Sequence, residues 1–128
     1  MLEKEKLKCY DTTSLLIGIG YEIHHYLGSG LLEIVYKDAF MYELKSKNIL
    51  FEREKQYDIK YKDIILPHRF FADFVIDQNV ILEIKAQEGG IADEQLAQTI
   101  NYLKISGCPV GLIINFSKLK LQVKRVVY

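Results

Sequence analysis

The sequence predicts an α/β fold of the α+β kind, in which helices flank one mixed β-sheet. Three observations lead to it. Apolar residues recur at helical spacing in the first part of the chain, alternate with polar residues in the middle, and later form short runs that are almost entirely apolar. The chain has 128 residues, of which 49% are hydrophobic, and this is enough for a single core. We therefore predict one domain over residues 1–128, with residues 1–12 as a flexible or loosely packed N-terminal segment.

Two helices are predicted before the first strand. The first covers residues 13–27, because the polar run at 11–14 offers oxygen atoms that can cap its first turn, and Gly28 follows its end. The second covers residues 30–47 and ends at Asn48. The predicted apolar stripe of the first helix consists of Leu16, Ile19, Ile23, Tyr26 and Leu27, and that of the second consists of Leu32, Val35, Ala39 and Tyr42.

The hydrophobic period changes from helical to alternating after the second helix. The predicted strands cover residues 51–59, 64–66, 69–76, 80–85 and 110–116, and a third helix covers 93–106. Pro67 is expected to end the second strand, and the turn at 77–79 joins the next two strands as a hairpin. The run at 110–116 is typical of a central strand that is buried on both faces. The element order is therefore ααβββαβ with one further strand.

The last segment is basic. Residues 116–128 contain Lys118, Lys120, Lys124 and Arg125 and no acidic residue. Read as a strand, this segment places Leu119, Leu121 and Val123 on one face and its lysines on the other. Two interpretations stay open: a solvated edge strand protected by its charges, or a local strip that contacts phosphate groups.

Composition and charge exclude several classes of protein. Seventeen basic residues balance 17 acidic ones, which argues against an obligate strong binder of nucleic acid through phosphate contacts. No apolar run is long enough for a membrane-spanning helix, and the N-terminus lacks the apolar core of a secretory signal. Cys9 and Cys108 have no metal-ligand spacing, which indicates two thiols in a reducing compartment. We expect a cytoplasmic protein without membrane contact.

Three ionisable residues stand inside apolar strands. Asp73 lies in the run 71–76, and Glu83 and Lys85 lie in the run 81–86 of the next strand. Glu83 and Lys85 are two residues apart and project from one face, and a hairpin brings Asp73 to the same end of the sheet. Removing water from such charges is costly unless they have partners. Two interpretations stay open: a Mg²⁺ site made of carboxylate oxygens, or a structural cross-strand ion pair.

Several motifs in order resemble a known family. Asp73 and the triplet 83–85, with the strand–turn–strand around them, resemble the PD-(D/E)XK nuclease superfamily. The run Gly30-Leu31-Leu32-Glu33-Ile34-Val35-Tyr36 is similar to the pattern that names the GxxExxY protein family, a branch of that superfamily. Flanking segments also match, so that the resemblance covers residues 14–127. It implies a restriction-endonuclease-like core of order αβββαβ, with an extra N-terminal helix and a C-terminal strand.

The resemblance also implies roles for single residues. Asp73 and Glu83 would be catalytic carboxylates and metal ligands, the backbone carbonyl of Ile84 would add a ligand, and Lys85 would serve the nucleophilic water. Gln98 and Tyr102 resemble the QxxxY element of RecB-like nucleases and would position the substrate; because they are four apart, they share a helix face.

Three residues of the first two helices have open interpretations. His24 resembles the family histidine and either helps to position substrate or makes a capping or core hydrogen bond. Glu33 lies beside the apolar side of its helix, so it is either a half-buried ion-pair partner or a third acidic metal ligand. Tyr36 is interpreted as an aromatic residue of the core or its rim.

The function predicted from these residues is that of a nuclease dependent on Mg²⁺ or Mn²⁺, with DNA favoured over RNA. A homodimer or a partner protein would complete its substrate groove. The second hypothesis is a non-catalytic module that keeps the nuclease fold and binds nucleic acid or protein. The neutral charge favours this second hypothesis, as do Phe71 and Gln95, which stand where relatives often carry arginine and histidine.

Overall fold

The computed structural model describes the backbone of residues 3–128 and the side chains from residue 9 onward. Three helices and five strands follow one another in the predicted order. They are α1 (Glu3–Leu27), α2 (Glu33–Ser46), β1 (Phe51–Tyr61), β2 (Ile64–Ile76), β3 (Val80–Lys85), α3 (Asp93–Ser106), β4 (Val110–Asn115) and β5 (Gln122–Val127). The predicted α+β architecture is confirmed.

The five strands form one mixed sheet in the order β1-β2-β3-β4-β5. Neighbouring strands are antiparallel except β3 and β4, which are parallel and are connected through α3. A parallel pair needs such a crossover because its strands run in the same direction. The two central strands β3 and β4 are almost completely buried, as their apolar runs predict.

The sheet separates two hydrophobic cores. α1 and α2 cover one face, where Leu16, Phe40, Phe74, Leu82 and Ile114 are among the buried residues. α3 covers the other face, where Leu103 packs with Ala72, Ile81 and Ile113. Cys9 belongs to the first core and Cys108 to the second, so the two buried thiols lie on opposite sides of the sheet. In the described part of the chain, no helix is long and apolar enough to cross a membrane.

α3 approaches β4 closely at Gly111. A Cβ atom at this position would lie 2.7 Å from Cγ2 of Thr99. Thr99 is buried, and its hydroxyl donates a hydrogen bond of 2.8 Å to the carbonyl of Gln95, which holds the rotamer in place. The absence of a side chain at Gly111 therefore sets the distance between helix and sheet.

Replacement of this glycine tests the close approach. We expect Gly111→Ala to lower the free energy of unfolding by about 1–3 kcal/mol, the usual cost of overpacking a core, in chemical denaturation. Thr99→Ser removes the offending methyl group and keeps the hydroxyl, so the double variant should recover most of the loss. An equal loss from Gly111→Ala with threonine or with serine at position 99 would contradict the explanation.

α1 begins ten residues earlier than predicted. Residues 11–14 are interior to the helix rather than its cap, and Thr13 Oγ1 donates to the carbonyl of Tyr10 at 2.9 Å. Polar side chains of this kind can hydrogen-bond within a helix as well as at its start, so their presence did not locate the boundary. The predicted stripe is also wrong at Tyr26, which is 89% exposed. Residues 1 and 2 of the predicted N-terminal segment lie outside the described residues.

The predicted stripe of α2 is wrong as well. The buried residues are Tyr36, Phe40 and Leu44, whereas Leu32 and Tyr42 are exposed. Apolar residues occur on more than one side of this helix, so periodicity alone favours no single stripe. The choice is made by packing: the ring of Tyr36 stacks on Phe116 at 4.4 Å between centroids.

Two strand boundaries also differ. Pro67 lies inside β2, at an irregularity where the pairing with β1 shifts between Asp58 and Lys60, and proline is tolerated at such bulges. The C-terminal strand begins only at Gln122, and Leu119 is 94% exposed instead of facing the core. β5 is an edge strand of the sheet, as one of the two interpretations proposed.

Candidate functional site

The pairing of β2 with β3 ends next to two buried acids. The paired residues are Phe74 and Leu82, Val75 and Ile81, and Ile76 and Val80. Beyond the pair Phe74–Leu82, backbone N–H groups donate to side-chain oxygens instead of to backbone carbonyls. The Ile84 N–H donates to Asp73 Oδ2 at 2.8 Å, and the Asp73 N–H donates to Glu83 Oε2 at 3.3 Å. Asp73 is 7% exposed and Glu83 is 4% exposed. The two predicted carboxylates are thus held together at the end of the hairpin.

The electrostatics of this pair are unfavourable for two negative charges. Burial raises the pKa of Glu83 well above its usual range, and the negative charge of Asp73 raises it further. The positive charge of Lys85 acts in the opposite direction and lowers the pKa of Glu83. The balance remains upward, so ionisation of Glu83 is disfavoured in the folded protein.

The triplet 83–85 divides between the site and the core. Ile84 is fully buried in the core beneath α1 and α2, while Lys85 is only half-buried. Because side chains alternate along a strand, Glu83 and Lys85 share one face of β3. The position of Lys85 beside the acids stays a prediction. The ligand role of the Ile84 carbonyl stays a prediction.

Lys37 of α2 reaches the site, and the sequence analysis missed it. Its Nζ lies 2.9 Å from Asp73 Oδ1, 3.3 Å from Glu33 Oε2 and 3.6 Å from Glu54 Oε1, and its side chain is 13% exposed. Burial lowers the pKa of Lys37, but the hydrogen bond and charge of Asp73, together with the charges of Glu33 and Glu54, raise it above its usual value. The spacing of Glu33 and Lys37 predicts a helical ion pair, whereas nothing in the sequence indicates a contact with Asp73.

Glu54 is a second residue that the sequence analysis missed. It lies in β1 between the pairs Arg53–Phe74 and Lys55–Ala72, which places it opposite Asp73. Its φ is +53°, in the left-handed region, where a residue with a Cβ pays about 1–2 kcal/mol. A non-glycine residue rarely adopts this conformation within a strand, so the strand pattern gave no sign of it.

Glu33 contacts the site through Lys37. Its carboxylate is 3.3 Å from the ammonium group, which agrees with the interpretation as a half-buried ion-pair partner. Within the described residues, no three side chains of histidine, cysteine, aspartate or glutamate converge into a ready-made metal cage. The role of Glu33 as a third metal ligand therefore stays a prediction.

α3 brings Tyr102 to the same end of the sheet. Burial raises the pKa of Tyr102, and the charges of Glu83 and Asp73 raise it further, while a hydrogen bond with Gln98 lowers it. The Tyr102 ring stacks on Phe70 at 4.0 Å between centroids. Gln98 is exposed and, with Tyr102, lines an open groove of about 370 Å³. Leu96, Ile100 and Leu103 pack α3 onto the sheet.

Comparisons with known proteins show which family and which fold this chain is similar to. The family profile described as the PD-(D/E)XK nuclease superfamily matches residues 10–126. The chain belongs to the PD-(D/E)XK nuclease superfamily. The fold is also similar to that in the crystal structure of SSO0001, with a TM-score of 0.59 and 17% sequence identity over 97% of this chain. The match spans 61% of the SSO0001 chain. No curated protein matches this sequence.

In this nuclease-superfamily chain, the glycine loop between α1 and α2 is fastened by Tyr36. The tyrosine hydroxyl donates to the Gly28 carbonyl at 2.7 Å and accepts from the Leu31 N–H at 3.2 Å. Gly28 and Gly30 both have positive φ angles, which glycine adopts at little cost. Tyr36 is fully buried, which confirms its interpretation as a core residue.

His24 makes structural contacts. Its Nε2 forms a hydrogen bond of 2.8 Å with the carbonyl of Lys118, and its ring lies 6.1 Å from that of Phe116. The hydrogen bond is exposed, so it is not the core hydrogen bond of one interpretation, but it fastens the segment before β5 to α1. A role in positioning substrate stays a prediction.

Gln95, which stands where relatives often carry histidine, belongs to a network of amides. Its side chain accepts a hydrogen bond from the Ala92 N–H and donates one to Gln87. Asn115, fully buried and paired in register with Lys85, accepts from the Gln87 N–H at 2.9 Å. The network holds the loop between β3 and α3 beside the carboxyl end of β3.

Proposed function

We propose that this chain is a metal-dependent phosphodiesterase that cleaves nucleic acid, with DNA favoured over RNA, and that it belongs to the GxxExxY branch. The observation that carries the proposal is the pair of buried carboxylates of Asp73 and Glu83, which meet at a hairpin end with Lys85 on the same face as Glu83. Two buried carboxylates side by side repel each other when both are ionised. A divalent cation between them would remove that repulsion.

The residues fit a hard cation such as Mg²⁺ or Mn²⁺. Asp73 and Glu83 offer carboxylate oxygens, the Ile84 carbonyl offers a third oxygen, and Glu33 stands close enough to Lys37 to share the site. Mg²⁺ is commonly held by one or two carboxylates and takes its other ligands from water and substrate phosphate. When bound, the ion activates water and neutralises charge on the phosphate.

The remaining steps belong to the side chains. Lys85 orients the water that attacks phosphorus and stabilises the charge that develops on the phosphate oxygens. A bond forms between the water oxygen and phosphorus as the water loses a proton, the bond from phosphorus to one sugar oxygen breaks, and the departing oxygen takes up a proton. Tyr102 and Gln98 of α3 line the open groove, where they would position the nucleic acid strand. Because a domain of 128 residues has little surface beyond its core, a second copy or a partner protein would complete the groove.

A nuclease panel tests the proposal. We expect cleavage of DNA with Mg²⁺ or Mn²⁺ and none with EDTA, and a loss of at least about 10²-fold in the double variant Glu83→Gln, Lys85→Ala. The double variant, purified in the same way, excludes a contaminating nuclease. Lys45→Ala on the exposed side of α2 is the matched control and should cleave like the wild type. Equal activity in the double variant would refute the proposed site.

A non-catalytic binding module is the second candidate. Phe71, which stands where relatives often carry arginine, is 50% exposed and offers an apolar surface instead of a phosphate contact. Binding of DNA that is independent of metal, without cleavage in any condition of the panel, would favour this second function.

A further inference from the structure

The ammonium group of Lys37 lies among three carboxylates. It contacts a carboxylate oxygen of each of three acids, at 2.9 Å for Asp73, 3.3 Å for Glu33 and 3.6 Å for Glu54. The three acids come from three different elements, β2, α2 and β1. A surface ion pair rarely collects three carboxylates around one lysine, because each added acid repels the others. The three carboxylates are therefore stable together only with a cation among them, and in the structure this cation is the Lys37 ammonium.

We propose that Lys37 is a tethered cation that occupies the metal position at Asp73, and that a divalent ion binds only by displacing it. Lys37 would then set the metal affinity of the site. The inference rests on the metal site of the proposed function, and it adds a competitor that is built into the chain. The competition is direct, since Asp73 Oδ1 cannot hold the ammonium and a metal ion at the same point.

The surroundings allow the ammonium to move without losing all of its partners. Glu33 lies one turn before Lys37 on the same helix, and Glu54 lies across on β1. Their side chains are 39% and 49% exposed, so both acids sit on the rim of the site, whereas Asp73 is buried. The long, flexible lysine stem can swing from the buried acid to these two acids. A doubly charged ion can then take the place at Asp73.

The size of the expected change in metal affinity follows from the fraction of time that the ammonium occupies the position at Asp73. If the ammonium fills the position for about 90% of the time, only a tenth of the molecules can accept metal, and the apparent affinity is about tenfold weaker than the intrinsic affinity. Lys37→Gln removes the competing charge and keeps a side chain of similar length. Lys37→Arg keeps the charge. Lys45→Gln removes one positive charge from the same helix at an exposed position.

Isothermal titration of Mn²⁺ into the full chain, without nucleic acid, tests the inference. We expect Lys37→Gln to bind Mn²⁺ about tenfold more tightly than the wild type, while Lys37→Arg and Lys45→Gln bind like the wild type. The gain should persist in 0.5 M NaCl, because displacement from a contact is much less screened than repulsion at a distance. Binding by Lys37→Gln with no binding by the wild type would support the inference even more strongly.

Other outcomes would contradict the displacement of Lys37 by metal. They also distinguish a failure of this inference from a failure of the proposed function. Equal or weaker binding by Lys37→Gln, with clear binding by the wild type, would refute the displacement and leave the metal-dependent nuclease intact. A gain that disappears in high salt would assign Lys37 to distant repulsion. No binding by any of the four proteins would refute both the displacement and the metal site. Thermal melts of each variant without metal confirm that the titrated protein is folded.

Discussion

Glu83→Gln is expected to melt at or above the wild type in EDTA and to gain little from added Mn²⁺. In the wild type, burial and the charge of Asp73 raise the pKa of Glu83, which means that ionisation of Glu83 destabilises the folded state. Glutamine keeps the volume and removes the charge. For the wild type, we expect a divalent ion at a hundredfold excess over its Kd to add about 2.7 kcal/mol and to raise Tm by several degrees for a domain of this size.

The difference in stability between Glu83→Gln and the wild type depends on pH. Below the usual pKa of glutamate, Glu83 is protonated in both the folded and the unfolded state. Above it, the unfolded chain loses the proton while the folded protein keeps it, so stability falls as the pH rises, by about 1.4 kcal/mol per pH unit, until the folded pKa is reached. Glutamine does not titrate. The Tm advantage of Glu83→Gln in EDTA should therefore grow as the pH is raised from the usual glutamate pKa.

Thermal melts of both proteins with EDTA and with Mn²⁺, at several pH values, distinguish a metal site from a structural ion pair. A structural pair between Glu83 and Lys85 gives the opposite pattern. In that case the variant would be less stable than the wild type in EDTA, metal would change neither protein, and catalysis at this site would have to be abandoned.

Asp73→Ala is expected to destabilise the protein strongly, by about 3 kcal/mol, although Asp73 is the other acid of the same pair. Two groups depend on its carboxylate: the Ile84 N–H donates to Oδ2 at 2.8 Å, and the Lys37 ammonium lies 2.9 Å from Oδ1. Alanine leaves a buried amide without an acceptor and a largely buried ammonium without its nearest counter-charge, and both losses are costly. The two acids thus differ in the sign of their effect.

Chemical denaturation in EDTA measures this difference. Asp73→Asn keeps an acceptor for the Ile84 N–H and should lose less stability than Asp73→Ala. The double variant Lys37→Met, Asp73→Ala removes both charges, so its loss should be smaller than the sum of the two single losses, as expected for residues in direct contact. Additive losses, or a neutral Asp73→Ala, would show that the contact between Lys37 and Asp73 does not support the fold.

Most of the fold and the acidic pair could be predicted from the sequence. Strand periods, glycines at turns and the apolar run of β4 are local signals, and the order of elements followed from them because each element is read from its own residues. Asp73, Glu83 and Lys85 were also visible locally, since charged residues inside apolar strands are rare. Such a signal needs no knowledge of what packs around it.

The boundaries of α1, the buried side of α2 and the start of β5 were decided by tertiary contacts. Tyr36 is buried because Phe116 stacks on it and the glycine loop accepts its hydrogen bond. Leu119 points to solvent although it alternates with lysines as a core residue would. In both cases, more than one placement was consistent with the local pattern, and packing chose among them.

By itself, the sequence predicted that Asp73 and Glu83 meet at the end of one hairpin with Lys85 on the face of Glu83, because the hairpin register follows from neighbouring residues. Only the tertiary structure decided that Lys37 and Glu54 join them. Lys37 is one of 17 basic residues, and its position on α2 becomes meaningful only when the helix packs against the end of β2. Glu54 reaches the cluster through a left-handed backbone angle, +53°, within a strand. Charges from separate elements converge through packing, and the chain order does not encode that convergence locally.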